Sequence, residues 1–131
     1  MFYLIGLLTG IISFFIGCIW YTALFGKVWQ RGMGFSDEKV KSIFVPGRII
    51  AALISELIAA LCTVGILFNL SEIPLIVRAI MLIVVVAGHG VKLAIFDGKK
   101  VSIILINEGY KIVTILLFFT AFALFGQYIV F

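Results

Sequence analysis

The stretch Phe2–Phe25, FYLIGLLTGIISFFIGCIWYTALF, decides the fold: it runs from end to end without a charged side chain. At about 1.5 Å of rise per residue, a helix of this length is about 36 Å long. That covers the hydrocarbon layer of a bilayer, about 30 Å thick. In lipid the backbone N–H and C=O groups find no water, so the segment must satisfy them itself, and a helix does so. The apolar residues show no period-two alternation, which excludes the strands of a membrane β-barrel. The run has no basic leader and no small-x-small cleavage pattern, so it reads as a retained first span rather than a removed signal.

Three further runs have the same character: Ile49–Leu70, Pro74–Phe96 and Val101–Phe131. The chain as a whole is 64% hydrophobic and 12% charged over 131 residues, with a mean hydropathy of +1.32. A soluble domain is about 45–50% apolar and about 25% charged. This chain has too few polar residues to coat a water-facing surface. The expected fold is therefore all-α, an integral-membrane four-helix bundle of up-down topology in one domain. Helices are expected over about residues 2–25, 49–70, 74–96 and 101–130, with the lipid bilayer as their solvent.

The charges lie between the runs. Residues 27–48 hold Lys27, Arg31, Lys39, Lys41 and Arg48 against Asp37 and Glu38. Asp97-Gly98-Lys99-Lys100 adds two more cations, while the middle connection carries only Glu72, with Arg78 just beyond. The positive-inside rule places the first and third connections in the cytoplasm and both termini outside, as in a multi-pass cell-membrane protein. The net charge of +4 is thus a topology signal and not a sign of nucleic-acid binding. Within the first connection, Ser36 can cap a short helix whose first turn holds Asp37 and Glu38. Phe35 can staple onto Val40. Val40, Ile43 and Phe44 give that helix, over about 37–44, an apolar side, and Pro46-Gly47 ends it. An amphipathic surface helix and an ordinary ordered loop both fit. Gly98 suits a tight turn that sets the third and fourth helices side by side.

Small residues at Gly6, Gly10, Ser13 and Gly17 form one face of the first helix. Such faces let helices approach closely in lipid, either within a bundle or between copies of a chain. Cys18 and Cys62 fall inside apolar runs at different depths. This argues against a disulfide or shared metal and for buried, apolar-like side chains.

Ionisable residues within the spans are rare and mark functional candidates. Here they are Glu56, His89, Lys92, Glu108 and Lys111, with Asn107 beside them. Glu56 lies eight residues from Arg48, His89 eight before Asp97 and Glu108 eight after Lys100, each about 12 Å of helix. The three share one level. This layer can line a polar cavity, with Glu56 or His89 exchanging a proton. It can equally be charge pairing, two acids (Glu56, Glu108) against two bases (Lys92, Lys111), with Glu108 and Lys111 at i,i+3. The fourth run is long enough, about 46 Å, for Asn107, Glu108, Tyr110 and Lys111 to sit at the membrane surface. Glu56 has no such escape. Trp20, Tyr21 and Trp29 at one end and Tyr3 and Tyr128 at the other fit aromatic belts. No phosphate loop, metal-ligand spacing or nucleophile–base motif is present, so neither an enzyme, a metal site nor a cofactor is expected.

The segment Gly17-Cys18-Ile19-Trp20-Tyr21-Thr22-Ala23-Leu24-Phe25-Gly26-Lys27-Val28-Trp29 resembles the signature of the DUF1761 family of small membrane proteins. Phe96-Asp97-Gly98-Lys99 and Leu105-Ile106-Asn107-Glu108-Gly109-Tyr110 resemble its second motif. The resemblance spans nearly the whole chain. It implies four transmembrane helices and singles out Trp20, Tyr21, Phe25, Gly26, Lys27, Trp29, Asn107, Gly109 and Tyr110, but implies no activity. Glu108 and Lys111 depart from the pattern with opposite charges one turn apart, which suggests a compensated pair. On the residues alone, Gly26 can end the first helix and Lys27 anchor it. Two functions stay open. One is a structural or accessory protein acting through a homo-oligomer or a membrane partner. The other is a small transporter or channel built on Glu56, His89 and Lys92.

Overall fold

A computed structural model describes residues 2–126, with side chains from Tyr3 onward. The described chain is all-helical: α1 (Phe2–Ile19), a five-residue π-helical extension (Trp20–Leu24), α2 (Gly26–Met33), α3 (Asp37–Ile43), α4 (Pro46–Asn69), α5 (Leu75–Phe96) and α6 (Val101–Phe125). Four helices are long and apolar enough to cross a membrane: α1 with its π extension, α4, α5 and α6. The expected extension of α6 to residue 130, and the Tyr128 anchor, lie outside the described residues.

The first connection differs from expectation. Gly26 opens a helix of its own, α2, directly after the break at Phe25. The connection thus holds two short helices instead of one. α2 ends at Gly34, whose φ of 69° is left-handed, with its N–H on the Arg31 carbonyl; glycine adopts that conformation without strain. α3 begins as its sequence suggests, with the Ser36 side chain accepting from the Lys39 N–H at 3.2 Å. Pro46 starts α4 rather than closing the segment before it. At the first helical position its missing N–H costs nothing and its fixed φ fits the helix.

α1 packs along α4 and α6, α5 lies on α6, and α2 folds back against the start of α6. Glycines on α1 make the close approach to α4: a Cβ on Gly10 would stand 2.8 Å from Ala60 Cβ, and one on Gly6 3.1 Å from Leu61. α4 and α5 follow one another in sequence yet barely pack together. A core of Ala60, Val64, Leu67 and Phe118, flanked by Leu75, Leu82 and Phe122, joins them near their shared hairpin. Arg78 staples that hairpin. Its Nε donates to Ile73 O at 2.6 Å and its Nη1 to Leu67 O, so a buried cation meets the negative end of the α4 dipole. At the opposite, basic end, Gly98 (φ 66°) turns α5 into α6.

Cys18 and Cys62 are free, and both face outward instead of into the bundle. The glycine–alanine seam between α1 and α4 takes the inward positions and leaves the cysteines on the far sides of their helices.

Candidate intramembrane polar site

The first motif and the second meet in space. The π turn is closed by the Phe25 N–H on Trp20 O at 2.9 Å. One extra residue in the turn rotates the chain beyond it, a device common at functional positions. It turns Trp20 and Tyr21 onto α6, so both are spent on the bundle rather than on a surface belt. Trp20 Nε1 donates to Ile106 O at 2.9 Å, and the Tyr21 hydroxyl donates to Asn107 Oδ1 at 3.0 Å. The rings of Trp20 and Tyr110, Tyr21 and Tyr110, Tyr21 and Trp29, and Trp20 and Phe25 are in contact, with centroids 4.7–6.3 Å apart. Gly109 is the flat spot under Trp20, where a Cβ would stand 3.3 Å from the indole. Gly26 leaves room for the Tyr21 carbonyl, 2.9 Å from where its Cβ would be. Of the motif positions, Lys27 alone is exposed and apart from this knot.

The knot leads further in between the helices. The Tyr110 hydroxyl donates to Ser13 O at 3.1 Å, lying where a Gly17 side chain would go. Ser13 is fully buried. Its hydroxyl bonds Glu56 Oε1 from α4 and lies 3.2 Å from Thr114 Oγ1 of α6. Three helices therefore bring one carboxylate and two hydroxyls together. The face Gly6, Gly10, Ser13, Gly17 thus lies within the chain, against Leu61, Ala60, Glu56 and Tyr110 respectively.

The second charged feature is a pair. Lys111 Nζ lies 2.9 Å and 3.0 Å from the two oxygens of Glu108, the i,i+3 contact that a helix allows. Glu108 is buried, while the Lys111 side chain is about one-third exposed. The pair presses on α5 at Gly90, where any Cβ would land on both head groups.

His89 and Lys92 do not join either group. Both are exposed on α5. Pairing of Glu56 with Lys92 is therefore not what the fold makes: among the described residues no cationic nitrogen lies within 4 Å of the Glu56 carboxylate. α5 sits on α6 and away from α4 at this level, so equal depth does not bring the side chains together. Nor do His89 and Lys92 line a cavity with Glu56. Two surface grooves are apolar. One runs along α5 past Val84, Gly88, Lys92 and Phe96. The other, about 620 Å³, lies between α1 and α6 past Leu8, Ile12, Leu117 and Leu124. No group of three His, Cys, Asp or Glu residues among those described could hold a metal ion.

Thr114 and Gly90, and the bonding roles of Ser13 and Arg78, are what sequence reading missed. Thr114 had a signal: it continues the polar face Asn107, Tyr110, Lys111 at helical spacing. Arg78 had one in its place on the first turn of a span. Gly90 and the bonding role of Ser13 had none, because both depend on how the helices cross.

No curated protein and no solved structure matches this chain. One family model does, described as a protein of unknown function (DUF1761), and it covers residues 5–124. Trp20, Tyr21, Phe25, Gly26, Trp29, Asn107, Gly109 and Tyr110, which carry much of the resemblance in sequence, are knotted together in the fold, and the chain belongs to the DUF1761 family.

Proposed function

We propose that this protein is a non-enzymatic, structural or accessory multi-pass component of the cell membrane that works through another membrane chain or a further copy of itself. The observation that carries this reading is where the polar groups are used. Every buried side-chain nitrogen and oxygen among the described residues has a partner within the chain, and the two grooves are apolar. All four long helices face outward along apolar surfaces, and that of α5 also carries exposed ionisable side chains in its second half. Val84 and Leu93 are 64% and 61% exposed there, beside the polar heads of His89 and Lys92. Polar side chains on a lipid-facing surface are costly, and a partner helix offering acceptors relieves the cost. With the basic connections in the cytoplasm, both termini face outward. A transport pathway through Glu56, His89 and Lys92 would need the three around one cavity, and the fold holds His89 and Lys92 on an outer face.

The test is in native membranes. A photo-reactive residue at Val84 or Lys92 should yield a protein adduct of one discrete mass, while the same probe at Leu4 on α1 should react with lipid. In liposomes with an internal pH dye, the purified protein should leave proton and salt gradients intact. Lipid adducts alone from α5, or dissipation of either gradient, would overturn the reading.

A further inference from the structure

The pairing of charges between the long helices does not close. Of the two carboxylates at membrane depth, Glu108 has its cation in Lys111 at 2.9 Å. Glu56 has hydroxyls only. It stands ten residues after Pro46 and thirteen before Asn69, about 15 Å and about 20 Å from the two ends of its helix. A glutamate side chain cannot snorkel that far. An isolated carboxylate in apolar surroundings is not tolerated without a compensating positive charge.

The surroundings of Glu56 supply oxygen and no nitrogen cation. From α1 come Ser13 and, one turn farther on, Thr9, which is spent on Ile5 O. From α6 come Thr114 and Tyr110, with Glu108 and Lys111 already engaged with one another. From α5, Arg78 is held at the hairpin and His89 is exposed. Ser13 uses only one carboxylate oxygen, Oε1. No hydrogen bond among the described residues engages Oε2, and it is not among the buried polar atoms left without a partner. Oε2 is therefore open to something small. Carboxylate, Ser and Thr oxygens form a hard donor set, suited to a proton or an alkali cation rather than to a transition metal.

We infer that Glu56, Ser13 and Thr114 form an intramembrane site for one exchangeable small monovalent cation, H⁺ or Na⁺, which supplies the positive charge that the chain withholds. The hydroxyls suit either occupant. Ser13 can donate to an ionised Glu56 while accepting from Thr114, or accept from a protonated Glu56 and pass its own proton toward Thr114. The site ties α4 to α1 and α6, so occupancy is coupled to the closure of the bundle. This goes beyond the accessory reading and does not depend on it, since a bound cation need not be transported.

The experiment uses the full chain in lipid nanodiscs at fixed pH and ionic strength, with NaCl exchanged for choline chloride. If Na⁺ is the occupant, the unfolding midpoint rises saturably with NaCl in the wild type and is flat in Glu56→Gln. Ser13→Ala, which keeps the carboxylate, then raises the half-saturating concentration about tenfold, the equivalent of one lost hydrogen bond. If the occupant is H⁺, the Na⁺-free wild type shows the infrared C=O band of a protonated carboxyl. That band persists in Glu108→Gln and is lost in Glu56→Gln. Helical circular dichroism checks that each variant is folded. A wild type with neither the Na⁺ response nor the band overturns the proposal, as does either signal surviving in Glu56→Gln.

Discussion

Gly90 shows how much can rest on one hydrogen atom. The Glu108–Lys111 pair lies against the bare backbone of α5, and any side chain at position 90 would occupy the space of both head groups. The i,i+3 spacing of Glu108 and Lys111 was legible in the sequence. What lay against them was not, since that depends on how α5 is rotated about its own axis. Gly90→Ala should therefore push the pair off α5 and lower stability by about 1–3 kcal/mol, the usual cost of overpacking. Gly88→Ala, two residues away with open space around it, should leave the unfolding midpoint in detergent unchanged or slightly raised, because alanine is the better helix former. Equal effects from the two substitutions would mean that the pair does not depend on Gly90. Glu56 teaches the same lesson in reverse. Its isolation from the membrane surface could be counted along the chain, whereas its hydroxyl partners come from positions 43 and 58 residues away.

At the scale of elements, the π extension organises the motif. In a regular α-helix carried on from Ile19, residues beyond the extension would lie about 100° away from where they are. The aromatic run Trp20-Tyr21 was readable as the end of a span, and Phe25-Gly26 as a break. The π turn itself left no mark, because nothing in its composition distinguishes it from α-helix. α2 was hidden for another reason. Its sequence, GKVWQRGM, is polar and glycine-rich, and contact with the π segment and α6 holds it there, with Gly32 lying directly on Ile103. Deleting Thr22, a residue exposed within the π turn, should restore α-helical register and turn α2 away from α6. Trp29 should then become accessible, with a red-shifted fluorescence maximum and faster quenching by iodide. Trp20, which lies before the deletion, should keep its bond to Ile106 and its buried emission. Separate spectra for the two tryptophans come from Trp20→Phe and Trp29→Phe in the deleted background. An unchanged Trp29 signal would show that α2 is held independently of the π turn.

At the scale of the whole molecule, the four long apolar helices were legible because an uninterrupted apolar run of that length is almost sufficient to define a helix. Their arrangement was not, because each long helix is mostly apolar around its circumference and its few polar positions do not say which neighbour they meet. The distribution of charge nevertheless gives the bundle a direction. The basic end carries Lys27, Arg31, Lys39, Lys41, Arg48, Lys99 and Lys100. At the other end the single cation among the described residues is Arg78, which is buried and committed to the carbonyls of Ile73 and Leu67. It is part of the fold rather than a surface anchor, so the asymmetry is stronger than a count of residues suggests. The positive-inside rule supports the proposed orientation, with the basic end in the cytoplasm. In a background with Cys18 and Cys62 changed to serine, a cysteine at Ser71 in the α4–α5 hairpin should react with a membrane-impermeant maleimide in intact cells. A cysteine at Lys41 on α3 should react only after permeabilisation. Both sites are exposed, so accessibility within the protein does not separate them and the membrane alone decides. The reverse pattern would invert the molecule. It would also mean that seven basic residues had been moved across the bilayer, against the strongest topological signal the chain carries.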